Sequence, residues 1–468
     1  MTPPLSPNPV AYRVADRLHT PAPWEVFGQR SRRYEVHFNG AVVEFLRGPL
    51  LVEGYGLRVF RLHEDKTGTG FQASTDSSEA GIILALAGAE AVAGHSTFPT
   101  KRIELPSSAA TSPGLEILDS KLWDSPLPRL EEYVAALLAP FEPLTDALPS
   151  FGSVRATLSE ISIANSAGFR SQYAETSMDL EVAVKAFGGP EGAPPGEYWV
   201  NGVERKADPA RAGDQVPMWA QYARDARRAK APPSGELPVV LPAVATSTIL
   251  PGVVGFRFSG ASRLRDIAPT PGSTIAAPAV TIQDDGRFPW GPNSTPWDDE
   301  GNPTGTRPLV RAGAAADLLY DVRHSGAFGV PPTGNGQRGL SFGRRDWLRF
   351  AHEPGIGPTT IVLEPGEGGS DAEVVEAAGD GIWVQQLGWA SPDVLSGAFG
   401  GEIRIGYRIR HGKLAEPVRG GTVGGVVLGP AGTPTMLTNL ALLGSTAALA
   451  ENFSGPTILV KPLTVAGA

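Results

Sequence analysis

The side chains of this 468-residue chain that could do chemistry are few and poorly spaced for it. Cysteine is absent, which removes disulfides, thiolate nucleophiles and every thiolate metal site. Helix-borne zinc hydrolysis needs two imidazoles about one turn apart and a neighbouring Glu to take a proton from metal-bound water. Two His-Glu pairs exist, His63-Glu64 and His352-Glu353. Thr67 stands where the first would need its second imidazole, and Ile356 where the second would, after Pro354-Gly355. Both pairs are expected to be ordinary loop or strand histidines. Asp298, Asp299 and Glu300 form a carboxylate run of the kind that suits Mg²⁺ or Ca²⁺. Runs of acids are more often solvated or capping groups, so an architectural turn is expected. Residues 339–343, GLSFG, have the spacing of a nucleophile elbow, but glycine-rich TGNGQRG precedes them rather than a strand. Gly412-Lys413 is followed by Leu414, so no phosphate-cradling loop is written there.

The formal charge is −9, from 40 Lys and Arg against 49 Asp and Glu. Such a chain offers no broad basic surface for nucleic acid. The densest basic run, Arg224, Arg227, Arg228 and Lys230, falls on a helical pattern and reads as a solvated face. The first twenty residues lack a basic segment leading into an apolar run, and no stretch reaches about 18 uninterrupted apolar residues. The expectation is a cytoplasmic protein that engages neither nucleic acid nor membrane.

The elements that must position these side chains follow from pattern. Residues 34–62 alternate apolar and polar types, with turns expected at Asn39-Gly40, Gly48-Pro49 and Gly54. Asp76 with Glu79 predicts a capped helix through Ile82, Leu84, Leu86 and Val92. Residues 105–113 read as a connection, and Pro126 opens a helix carrying Leu130, Val134, Leu137 and Leu138. Residues 153–187 return to strand periodicity around a turn at 165–168, residues 188–196 read as a loop, and 215–230 as an amphipathic helix. With 57 Gly and 44 Pro, the rest is strand and loop in alternation. The fold class expected is α+β: N-terminal α+β units over 1–115 and 116–235, then one large sheet-rich domain over 236–468. Trp290, Trp297, Trp383, Trp389 and Phe399 are expected mainly in the core.

The ordered strings GYGLRVF, FQAST, ISIANSAG, WDDEG, TGNGQR, HGK and the terminal PTILVKPLTVAG identify the chain as similar to the TldD/TldE (PmbA) metallopeptidase family. In that family the catalytic member carries an apolar strand, then leucine, His, Glu, two small or apolar residues, Gly and His. Laying Leu250 and Gly255 on that pattern puts Pro251, Gly252 and Phe256 at the first His, the Glu and the second His. None can hold zinc or move a proton, and Pro251 removes a backbone donor, so a weakened local helix is expected. The third family ligand, a cysteine near the C-terminus, is missing too. The resemblance implies a TldE-like, non-catalytic subunit with no metal or cofactor of its own. Zinc would reside in a TldD-like catalytic partner, and the two would enclose a chamber for a peptide or small amide. Trp297, Asp298, Asp299, Glu300, Asn335 and Arg338 are implied as a chamber or structural motif. Two other expectations stay open: the partner subunit of a dedicated amide hydrolase in specialised-metabolite biosynthesis, and a non-enzymatic peptide-binding homodimer.

Overall fold

The computed structural model describes residues 5–467 except 65, 101, 109–113, 189–193, 342, 389, 391 and 431. A short helix α1 (Val10–Ala15) leads into β1 (Trp24–Asn39), β2 (Val42–His63) and β3 (Lys66–Ser74). The β1–β2 hairpin turns at Asn39-Gly40, with Gly40 at φ +57°. The other two expected turns are not turns. Gly48 lies inside β2 at a register shift opposite Arg33 and Glu35, where its φ of +128° requires glycine. Gly54 is also mid-strand: a Cβ there would sit 2.4 Å from the Phe350 ring, so the glycine admits a side chain from the other half of the molecule.

Helix α2 (Glu79–His95) is capped by Ser78, whose hydroxyl accepts from the Gly81 amide at 3.2 Å; Asp76, the expected cap, instead accepts from the Ser78 amide at 2.9 Å. Its inward face is Ile82, Ala85, Ala89 and Ala93, whereas Leu84 and Val92 are 75% and 49% exposed. The inward residues are small because α2 lies almost on the backbone of β3. A Cβ on Gly70 would stand 1.7 Å from the Ala89 carbonyl oxygen, and one on Gly68 1.8 Å from that of Ala93.

After α3 (Ser120–Asp124) and α4 (Pro126–Leu138) the chain makes β4 (Ala147–Asn165), β5 (Arg170–Ala186) and β6 (Gly196–Glu204), then α5 (Val216–Arg228). Pro126 occupies the first turn of α4, and the Asn165 side chain closes the β4–β5 turn by accepting from the Ala167 and Phe169 amides. All six strands form one antiparallel sheet in the order β3-β2-β1-β4-β5-β6. Strands of both expected N-terminal units thus share a sheet through the long β1–β4 pairing. Leu130, Val134 and Leu137 of α4, and Trp219 and Ala223 of α5, cover its β4–β5 part. The basic run on α5 is engaged: Arg224 pairs with Asp146, Arg228 with Asp225, and Arg227 donates to the Phe187 carbonyl.

The second half opens with β7 (Gly235–Leu241), α6 (Ala243–Thr246), α7 (Leu250–Arg257), α8 (Gly260–Arg263), β8 (Ile282–Asp285), β9 (Thr306–Arg311), β10 (Ala314–Ala315) and α9 (Val322–Phe328). Four two-residue strands follow, β11 (Gly336–Gln337), β12 (Leu340–Ser341), β13 (Arg344–Arg345) and β14 (Gly355–Ile356), then β15 (Ile361–Leu363) and α10 (Asp371–Ala378). The chain ends with β16 (Gly381–Gly388), β17 (Ala398–Arg410), β18 (Lys413–Val418), β19 (Thr422–Val426), β20 (Leu440–Ala450) and β21 (Phe453–Ala466). Pairing runs β21-β19-β17-β16-β7 and back to β21, closing a ring. Alternation serves both faces of its strands: Val239, Leu241, Ile458 and Val460 join a core with Leu250, Val253 and Val254 of α7, while Val240 and Leu459 pack on Val374 and Val375 of α10. Trp297, Trp383 and Phe399 are buried as expected; Trp290 is half-buried, and Trp389 lies outside the described residues.

The α2–β3 contact generates a stability prediction. Gly70→Ala forces a methyl into the Ala89 carbonyl and should lower unfolding stability by about 1–3 kcal/mol, read by urea denaturation. Gly88→Ala, which meets only the flexible Gln72 side chain at 3.3 Å, should cost far less.

Candidate functional site

Helix α7 carries Pro251, Gly252 and Phe256, the positions that the resemblance lays on the metal motif, and it is intact. Pro251 sits in the first turn, where the missing N–H has no intrahelical acceptor to lose, so the expected weakening does not occur. Pro251 is buried with Leu250, Val253 and Val254; Gly252 is exposed and Phe256 half-buried, four residues apart on the opposite face. A Cβ on Gly255 would stand 2.5 Å from the Pro358 ring, so this turn is pressed against its neighbour. Arg257 ties the C-terminal end down by donating to the carbonyls of Ile267 at 2.9 Å and Leu395 at 3.1 Å. Among the described residues no three His, Asp or Glu side chains are grouped to hold a metal ion. His352 faces Asp346 at 2.8 Å, and His63 ends β2. The GLSFG stretch belongs to a β12–β13 hairpin rather than a strand-to-helix elbow; its Phe342 lies outside the described residues.

The acidic motif is not a solvated turn. Asp298, Asp299 and Glu300 are all at most 1% exposed and bind the loops of the second half to strands of the first. Asp298 is architectural throughout: one carboxylate oxygen accepts from the Glu300 amide at 3.0 Å and the Asn302 amide at 2.8 Å, the other from the Gly336 amide at 2.8 Å. Asp299 accepts from the Arg338 amide at 2.7 Å and pairs with Arg349. Glu300 accepts from the Val322 amide at 2.8 Å and from Arg58 of β2.

Four fully buried guanidiniums complete the lattice. Arg58 bridges Glu300 and Glu25 of β1, and Arg338 binds the other oxygen of Glu25 at 2.8 Å. Arg349 holds Glu175 of β5 at 2.7 Å, and Arg205 holds the same carboxylate at 2.9 Å while donating to the carbonyls of Gly291, Pro292 and Ser294. Trp297 packs edge-on to Tyr173 and Phe169, and its ring N–H donates to Ser171 at 3.0 Å. Burial pushes Glu300 up to about 7 against the pull of Arg58. Burial likewise works to raise Glu175, but Arg349 and Arg205 hold it below the usual carboxylate range. Nearby, Asn335 donates to Asp284 at 2.6 Å and Thr359 donates twice more, yet burial still pushes Asp284 up to about 6. The motif residues implied by the resemblance are therefore brought together, and sequence reasoning missed their partners Glu25, Arg58, Glu175, Arg205, Asp284 and Arg349. One signal was present: Glu25 and Arg58 are charged residues inside otherwise apolar strand runs, and they face each other in the β1–β2 register.

A cleft of about 1250 Å³ opens between the two sheets. One wall is the outer edge of β6, the last strand of the first sheet; the opposite wall includes Thr446 and residues 448–450 of β20, which among the described strands pairs with β21. Trp199, Trp219, Trp290 and Tyr198 supply aromatic surface, and Lys206 stacks over Trp290 at 4.6 Å. Ser247 and Thr248, just ahead of α7, lie in the same lining. Gln386 donates to the Trp199 carbonyl of β6, and residues 443–445 of β20 bond the backbone of residues 366–369; the remaining positions of both strands line the cleft, where an extended chain can be accepted as an added strand.

Residues 234–467 match the family model described as the PmbA/TldA metallopeptidase C-terminal domain. Over 198 residues the chain is 29% identical to a metalloprotease TldD homologue of Haemophilus influenzae, covering 42% of this chain and 39% of that one. It is 26% identical over 211 residues to a metalloprotease of Synechocystis, 42% of each. The matched stretch is thus less than half the length of these relatives. Across nearly the whole chain the fold matches TldE from Thermococcus kodakarensis, with a TM-score of 0.77 at 19% identity over 98% of this chain and 99% of the other. A Thermotoga maritima protein described as a candidate modulator of a DNA gyrase gives 0.76 at 20% identity over 95% and 96%.

Two outcomes are expected of the lattice. Arg338→Met leaves Arg58 alone to balance both Glu25 and Glu300 in a dry interior and should cost about 3–5 kcal/mol by chemical denaturation. Asp284 has a folded pKa near 6, above its unfolded value, so the folded state holds its proton more tightly. Its contribution is greatest below about pH 4, the unfolded value, and is lost as pH rises toward 6. Thermal melts between pH 4.5 and 7 should show a smaller pH-driven loss of Tm in Asp284→Asn than in the parent chain; equal losses would contradict this assignment.

Proposed function

The chain belongs to the TldD/TldE (PmbA) metallopeptidase family, and from that premise we propose that it is the zinc-free, TldE-like subunit of a two-component peptidase. Its catalytic partner is a TldD-like chain that carries the zinc. The observation that carries this reading is the chemistry of α7: a proline ring, a hydrogen and a phenyl ring occupy the three positions that would have to bind and activate at a metal. No lone pair is offered there for a cation, and no carboxylate for a water proton. The helix is nonetheless retained as a packed element, which fits a subunit that keeps the family scaffold and lends it to a partner.

The same premise gives the cleft a role. A flexible peptide or an amide-bearing molecule held along β6 or β20 gains main-chain hydrogen bonds that make little demand on sequence, while Trp199 and Trp290 supply apolar contact. This subunit then contributes one wall of the substrate chamber, and bond cleavage falls to the zinc of the partner.

Reconstitution tests this. The purified chain should bind less than stoichiometric zinc by metal analysis and leave a linear peptide uncut, and cleavage should appear when a TldD-like partner is added. Robust turnover by the isolated chain would overturn the reading. Trp199→Ala should weaken peptide binding to the assembled complex by roughly tenfold, as expected for loss of one buried aromatic contact.

A further inference from the structure

The first half of β2 is an uncovered strand edge. β3 pairs with β2 from Tyr55 to His63, and among the described residues no strand pairs with the outer edge of residues 42–51. This stretch, VVEFLRGPLL, has the composition of a buried strand. Yet Val42, Val43, Phe45, Leu46 and Leu51 are 43–68% exposed. They occupy both faces. Val43 and Leu46 stand opposite Phe38 and Val36 of β1, which belong to the core under α4, whereas Phe45 stands opposite His37 and stacks on its ring at 4.3 Å.

Soluble proteins expose apolar side chains singly, and they blunt free strand edges with lysine, proline or shortness. This stretch contains no lysine, and its single proline lies at the Gly48 register shift, which leaves residues 42–47 as the segment able to pair. Such an edge complements itself, because two copies related by a twofold axis present it to each other in antiparallel order. The charges agree with that arrangement. Glu44 and Arg47 are opposite in sign and close in sequence, so antiparallel pairing of the segment brings Glu44 of each copy beside Arg47 of the other. The five apolar residues together expose on the order of 500 Å², so a twofold contact would cover about 1,000 Å², the lower bound of a specific interface.

We infer that two copies of this chain pair along residues 42–47 of β2 and form a dimer with one sheet running across both. β1, β4 and β5 stand between β2 and β6 in the first sheet, so the contact forms on the side of that sheet away from the cleft wall. The inference does not rest on the peptidase reading.

Sedimentation of the full chain over a range of concentrations, with no partner present, tests it. A reversible dimer is expected. Leu46→Lys puts a charge on the pairing edge at an exposed position and should raise the dimer dissociation constant by about tenfold or more. Leu62→Lys, on the same strand and at least as open to solvent but paired with Thr67 of β3, should leave it unchanged. A parent chain that stays monomeric at every concentration, or a dimer that Leu46→Lys does not weaken, overturns the inference. A parent that is monomeric alone, and whose complex with a TldD-like chain is lost in Leu46→Lys, assigns the edge to that partner and likewise overturns self-pairing. Hydrogen exchange decides if the variant misfolds: amides of residues 42–47 in the parent should exchange more slowly at high protein concentration than at low, and equal rates overturn the dimer.

Discussion

Removing a guanidinium from water costs several kcal/mol even after the interior relaxes, and the cost is recovered only if carboxylates or carbonyls meet it in good geometry. At one seam this molecule pairs four guanidiniums with carboxylates, although Nε of Arg58, Arg338 and Arg349 has no acceptor among the described residues. Arg58 and the Arg205 side chain extend from the first half, Arg338 and Arg349 from the loops of the second, and each finds its counter-charge or carbonyls across the junction. Every partner is needed, because loss of one leaves an uncompensated charge in a dry place. The halves are therefore locked in one relative placement. The large cleft depends on that placement, since β6 comes from one sheet and β20 from the other.

The same reasoning separates scaffold from chemistry in α7. Its hold on the molecule comes from Leu250, Val253 and Val254 in the apolar core, from Gly255 against Pro358, and from Arg257 binding two carbonyls. None of these contacts requires a metal. Substituting the outward or first-turn positions therefore leaves the element in place, so the fold does not by itself fix the reaction.

What was legible in the sequence was local. The Asn39-Gly40 hairpin, the Asn165 turn and the Pro126 start are specified by a few adjacent residues, and they form where the pattern puts them. Gly48 and Gly54 were misread because a glycine that turns the chain and one that makes room for a bulge or for Phe350 look alike in sequence. The face of α2 was misassigned for a related reason: tight docking on Gly68 and Gly70 favours alanine inward and leaves Leu84 outside. The acidic motif could be located but not its burial. Arg58 lies 242 residues from Glu300, and only the fold reveals that the charge is matched. The positions on α7 are named by resemblance alone, since nothing in the spacing of Pro251, Gly252 and Phe256 marks them.

The β12–β13 hairpin is tied to the cleft wall as well. Glu451 follows β20, lines the large cleft and holds Arg344 of the β12–β13 hairpin, while the adjacent Asn452 packs against Gly343. The β20–β21 turn thus joins the cleft wall to that hairpin. A chain lying along β20 in the cleft would run toward this turn and toward the hairpin braced on it. On the peptidase reading, main-chain pairing along β20 would hold an extended substrate without regard to its side chains, and the placement of that strand would rest on the seam through the turn it shares with the hairpin.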